Sequence, residues 1–153
     1  MDIKVELREI KPQPIASIRT LVKVRKIPKV FPELVKELIN FLETTGKPLI
    51  GAPLAIFTNW KKGKGEMEVG IPVSEPFKSI GNIKSSELPG GKVAYVLYIG
   101  HLRKIASIYE RMKNWAVGNG YEPKNIWWEV YLTNPSLESD LNKWKTEVYL
   151  LIN

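Results

Sequence analysis

The chain contains no cysteine and one histidine, His101, in 153 residues. The first absence excludes a disulfide frame, a thiolate nucleophile and a thiolate metal site, and the second excludes any centre built on several histidines. Neither a metal nor a cofactor is expected. No apolar run approaches the roughly 20 residues that cross a bilayer. The opening Met1-Asp2-Ile3-Lys4-Val5 has neither the charged start nor the apolar stretch of a signal peptide, so a cytoplasmic chain without membrane contact is expected. Gly63 and Gly65 alternate with Lys62 and Lys64 but lack a phosphate-loop pattern and a following helix, and read as a hairpin tip.

What is present is a composition of 44% hydrophobic and 25% charged residues, enough for one sizeable core. The formal charge of +7 is spread over both halves, with Lys23, Arg25, Lys26 and Lys29 as its densest cluster, and reads as a solvated basic surface. One residue breaks the pattern. Glu129 lies inside the most aromatic run, Ile126-Trp127-Trp128-Glu129-Val130-Tyr131-Leu132. An unpaired carboxylate costs several kcal/mol to desolvate, so Glu129 must be solvated, protonated, paired or waiting for a ligand. An ion pair with Arg19 is the structural alternative to a functional role.

The chain aligns with itself. Setting Glu9-Ile10 against Glu87-Leu88 brings Ile15-Ala16-Ser17-Ile18 onto Val93-Ala94-Tyr95-Val96 and Arg25-Lys26-Ile27 onto Arg103-Lys104-Ile105. Further blocks match Gly46 with Gly120, Leu54-Ala55-Ile56-Phe57 with Trp128-Glu129-Val130-Tyr131, and Glu68-Val69 with Glu147-Val148. Preserved block order points to two copies of one unit, about 1–76 and 77–153, forming a single domain. Each copy reads as strand, helix, strand, strand. Pro32 suits a first helical turn, and apolar residues recur at helical spacing up to the terminator Gly46. The alternating stretches Ile3–Ile10 and Ser79–Leu88 add a strand to each copy. The expected fold is α+β: a tandem duplication forming two antiparallel sheets, each with a helix on one face, and a ligand cleft between the modules.

Strand alternation separates the faces. Ile126, Trp128, Val130 and Leu132, with Thr146, Val148, Leu150 and Ile152, make an apolar set expected under the helix. The opposite set holds Trp127, Glu129, Tyr131, Glu147 and Tyr149, with Lys145 able to neutralise Glu147. The first copy offers Ala55, Phe57 and Gly70 at the aligned positions, so small residues would oppose large ones across a groove. Two carboxylates among rings would raise each other's pKa unless a cation relieves them, and ring faces attract cations by about 0.5 to 2 kcal/mol each.

The tandem modules, the strand Trp127-Trp128-Glu129-Val130-Tyr131 and the terminal Thr146-Glu147-Val148-Tyr149-Leu150 resemble the GyrI-like small-molecule-binding family. That family includes the effector-binding domains of Rob-type and multidrug-sensing regulators and stand-alone gyrase-inhibitory proteins. The resemblance covers essentially the whole chain, with weaker support from Glu9 to Arg19. It implies a cleft for lipophilic, often cationic molecules, with Glu129 as the central acid and aromatic walls. Related regulators couple this domain to a helix-turn-helix. No residues are left over for one here, so sequence-specific DNA binding is not expected. A topoisomerase or a separately encoded regulator is a further partner that the resemblance allows.

Some stand-alone members hydrolyse strained cyclopropane-bearing compounds. By carry-over Glu129 would activate water, Trp127 and Tyr149 would hold the planar substrate, and Tyr131 would shape the wall. The chain departs from the family where Gly-Pro-Tyr often follows the repeat's first strand. It has Gly100-His101-Leu102 in one copy and Val22-Lys23-Val24 in the other, without that rim aromatic. Three readings follow: a binder of a hydrophobic, cationic or planar molecule, a hydrolase of strained electrophiles using Glu129, and a gyrase-inhibitory interaction protein.

Overall fold

A computed structural model describes residues 3–153; Met1 and Asp2 of the first expected repeat lie outside the described residues. The strands are β1 (Glu6–Ile10), β2 (Gln13–Lys23), β3 (Leu54–Lys61), β4 (Lys64–Pro72), β5 (Lys84–Leu88), β6 (Gly91–Ile99), β7 (Pro123–Tyr131) and β8 (Lys145–Ile152). The helices are α1 (Ile27–Thr44) and α2 (Ile105–Gly118). The class is therefore α+β, and within the units described below every strand pairing is antiparallel. No helix among the described residues is long and apolar enough to cross a membrane.

The chain divides into two compact units, one of Lys11–Gly90 and one of Gly91–Asn153 with the residues through Ile10. In the first the strands lie in the order β3-β4-β2-β5, and in the second β1-β6-β8-β7. The added strands are therefore exchanged relative to the chain-order reading: β1 pairs with β6 and β5 with β2. Proline explains why β1 does not fold back on β2. Only Lys11-Pro12 separates these strands, and the type I′ hairpin turn needs positive φ at both central residues, which the proline ring forbids at Pro12. Lys62-Gly63, between β3 and β4, has φ of 52° and 76° and closes such a turn.

Helix α1 begins earlier than the periodicity predicts. Pro28 occupies its first turn, while Pro32 lies inside the helix, where its missing N–H forgoes the bond to the Pro28 carbonyl. Both helices end alike. Gly46 (φ 69°) donates to the Glu43 carbonyl and Lys47 to Leu42, and Gly120 (φ 82°) donates to Val117 and Tyr121 to Ala116. This double bond to the last turn needs a left-handed residue, which glycine supplies without a Cβ clash. Tyr121 then stacks on Trp115, ring centroids 6.2 Å apart, closing the end of α2.

The core of the second unit sits between α2 and its sheet: Ala94, Val96 and Tyr98 of β6, Val148, Leu150 and Ile152 of β8, and Ile105, Ile108, Met112 and Ala116 of the helix. The helical four recur at three- and four-residue spacing, one stripe of α2. In the first unit Ala16, Ile18, Met67, Val69 and Ile71 share a wholly apolar face by register, with Leu38 and Leu42 of α1 fully buried.

Candidate functional site

The register of β7 against β8 sets Trp127 opposite Leu150, Glu129 opposite Val148 and Tyr131 opposite Thr146. Directly opposed residues project to the same side of an antiparallel pair, and Val148 and Leu150 belong to the core under α2. Trp127, Glu129 and Tyr131 therefore face the helix side. This reverses the expected facing of β7, because Trp128 and Val130 share the other side with Tyr149 and Glu147. The physical reason is register. Both alternating sets of β7 are rich in apolar residues, so composition favours neither face. Between Pro123 and Trp127 four residues of β7 span what two of β8 span, and an irregularity of this kind resets pairing.

Glu129 is 8% exposed. The Tyr131 hydroxyl donates to its Oε1 at 2.7 Å, and the Trp127 indole supplies a second hydrogen bond. No lysine or arginine forms an ion pair with it among the described residues. Burial pushes its carboxyl up to about 7, and the two hydrogen bonds only partly hold it down. The group is thus about half ionised at neutral pH. Burial first, and then the neighbouring carboxylate, drive the Tyr131 hydroxyl well above its usual value, which keeps it a donor. On the helix side Trp127 packs against Tyr109 of α2, centroids 4.5 Å apart and planes 31° apart. The Lys113 ammonium lies 4.9 Å from the centre of the Tyr109 ring, so that ring already attracts a cation.

The ion pair that would have explained Glu129 structurally is made elsewhere. Arg19 lies 3.2 Å from Glu68 Oε1, and the Ser17 hydroxyl donates to the other Glu68 oxygen at 2.5 Å. Glu68 is the carboxylate that the internal alignment matches to Glu147.

Glu147 and Tyr149 form a separate cluster on the opposite side of β8. Tyr95 donates to Glu147 Oε2 at 2.7 Å, and its ring meets Tyr149 edge-on at 5.1 Å. Burial first and then Glu147 push the Tyr95 hydroxyl up to about 12. Arg8 lies 3.6 Å from the Tyr95 ring centre and 3.0 Å from Glu6. Trp128, 1% exposed, stacks on Tyr149 at 5.2 Å. The expected neutralisation of Glu147 by Lys145 is replaced by this tyrosine contact.

The remaining expected residues divide as well. Ala55 opposes Val69 and Phe57 opposes Met67 on one face of the Lys11–Gly90 unit, while Gly70 opposes Leu54 on the other. A Cβ at Gly70 would stand 2.9 Å from Ile15 Cδ1, so this glycine permits close packing. Ala55 is fully buried. The face reading missed Tyr109, Tyr95 and Arg8. The internal alignment held a signal for Tyr95, a large ring where the first copy has Ser17. The helical stripe held Tyr109, one turn before Met112.

Comparison with known proteins identifies the class. The chain matches the GyrI-like small molecule binding domain over residues 3–153, and it belongs to that family. No curated protein matches it. Among solved structures it is similar to the EcmrR C-terminal domain, with a TM-score of 0.88 and 21% identity, covering 100% of this chain and 99% of that one. In the EcmrR-DNA complex the TM-score is 0.86 at 21% identity; the match covers 99% of this chain and 57% of EcmrR, so the chain spans little more than half of that regulator. SAV2435 bound to tetraphenylphosphonium is similar at a TM-score of 0.67 and 13% identity, covering 98% of this chain and 94% of that one. At these identities the likeness is one of fold.

Proposed function

We propose that the chain binds a hydrophobic, cationic small molecule on the helix-side face of β7, with Glu129 as counter-ion and Trp127, Tyr131 and Tyr109 as aromatic contacts. The observation that carries this reading is the buried carboxylate of Glu129, held by a phenol and an indole and by no cation. A buried carboxylate with only neutral partners favours an incoming positive charge, and flanking ring faces add cation–π attraction. Family membership supports small-molecule binding, and SAV2435, of the same fold, is bound to a lipophilic cation in its solved structure. Glu147 and Tyr149, already joined to Tyr95 and Arg8 on the opposite side, are assigned a structural role.

The test is a titration with tetraphenylphosphonium at pH 8, read by tryptophan fluorescence or calorimetry. Glu129→Gln keeps the shape and removes the charge, and the expected result is a loss of affinity of roughly tenfold or more. Unchanged affinity contradicts the counter-ion role. A carboxyl near pH 7 also suits a general base, so the hydrolase reading makes a distinct forecast: Glu129→Gln binds normally and loses turnover of a strained electrophile.

A further inference from the structure

The region where β2 runs into α1 and β3 turns into β4 gathers Lys23, Arg25, Lys62 and Lys64 around one depression of about 460 Å³, lined also by Val24 and Gly63. Local structure holds them there. The tight Lys62-Gly63 turn presents the Gly63 carbonyl to the Val24 N–H at 2.8 Å, and Lys23 stands directly opposite Lys64 in the ladder. Like charges directly opposed across a strand pair are unfavourable. No acidic residue lines the depression, and none of the four cations forms an ion pair among the described residues. Glu66, the acid of β4 nearest the turn, accepts from the Thr58 and Asn59 side chains, and α1 carries no acid in its first turn.

We propose that this depression binds a small polyphosphate, a di- or triphosphate group either free or carried by a nucleotide. Arg25 offers a planar fork suited to paired phosphate oxygens, and the three lysines supply mobile point charges matched to a multiply charged anion. The cations converge on one depression instead of tracking a stripe, which disfavours a duplex backbone. Val24, the sole apolar side chain in the lining, leaves no surface for a lipophilic body. The Val24 N–H is already committed to Gly63, so recognition falls to the charged side chains.

Calorimetric titration of the full chain with inorganic triphosphate tests this, with ATP and a short DNA duplex as parallel arms. Saturable triphosphate binding is expected, weakened by added salt and reduced roughly tenfold in the doubly substituted Lys62→Ala, Lys64→Ala chain. Both positions lie on an exposed hairpin, and an unchanged melting temperature confirms that the variant folds. Lys124→Ala, absent from the lining and paired with Glu122, is expected to bind as the parent does. ATP binding more tightly than triphosphate identifies a nucleotide as the source, and equal affinities identify the bare polyphosphate. The proposal is overturned by absent triphosphate binding, by equal affinity in the double variant, or by binding confined to the duplex.

Discussion

The Tyr131 hydroxyl lies 2.7 Å from Glu129 Oε1, and donor and acceptor belong to the same strand, two residues apart. Residues so spaced project from one face, so the strand itself aims a phenol at its own buried carboxylate. The pair is a short-range device that needs no loop to hold it. Its chemistry depends on what burial does to the acid.

The first prediction concerns stability against pH. Glu129 titrates at about 7 in the folded chain, above the ordinary carboxylate value of 4.5. Between these values the folded state holds a proton that the unfolded state has lost, so stability is full at low pH and falls as pH rises towards 7. The loss is of order 3 kcal/mol. Glu129→Gln should flatten this fall, checked by urea denaturation at pH 5 and pH 8. Parallel curves for the two chains would show that Glu129 titrates as it does in water.

Tyr131→Phe removes the donor while keeping the ring. At pH 8 it should cost about 1 to 3 kcal/mol, because an ionised buried acceptor loses its partner. At pH 5, where the carboxyl is neutral, the cost should shrink. Denaturation at the two pH values measures both.

Trp128 and Glu147 lie on the same side of the second unit's sheet, the side opposite Glu129. Trp128→Ala deletes a buried indole stacked on Tyr149 and should cost about 3 to 5 kcal/mol. Glu147→Gln should leave the affinity for tetraphenylphosphonium within a factor of about two, as expected for a residue outside the site. A tenfold loss would return Glu147 to the binding surface.

Gly46→Ala places a Cβ at a φ of 69°. A loss of about 1 kcal/mol is expected from left-handed strain at the end of α1, read as a lowered melting temperature.

Periodicity and terminators made the elements legible: helical spacing up to Gly46 and Gly120, alternation in β6 and β8, and the Lys62-Gly63 turn. The facing of β8 was legible too, since Val148, Leu150 and Ile152 alternate with Glu147 and Tyr149. Strand β7 was not, because Trp128 and Val130 are as apolar as Trp127 and Tyr131, and pairing across the irregularity after Pro123 decides between them. The partners of β1 and β5 were hidden for a related reason: local alternation reports a strand and says nothing of its neighbour. Glu129 was conspicuous from composition alone. Its burial partners required the register.

The most direct test of the central claim is the pH dependence of tetraphenylphosphonium affinity in the parent chain and in Glu129→Gln. With the carboxyl titrating at about 7, its ionised fraction rises from roughly one-tenth at pH 6 to roughly nine-tenths at pH 8. Affinity should therefore rise roughly tenfold over that interval in the parent, as the competent state becomes populated, and stay flat in the variant. Identical pH profiles for the two chains would contradict the role of Glu129 as counter-ion.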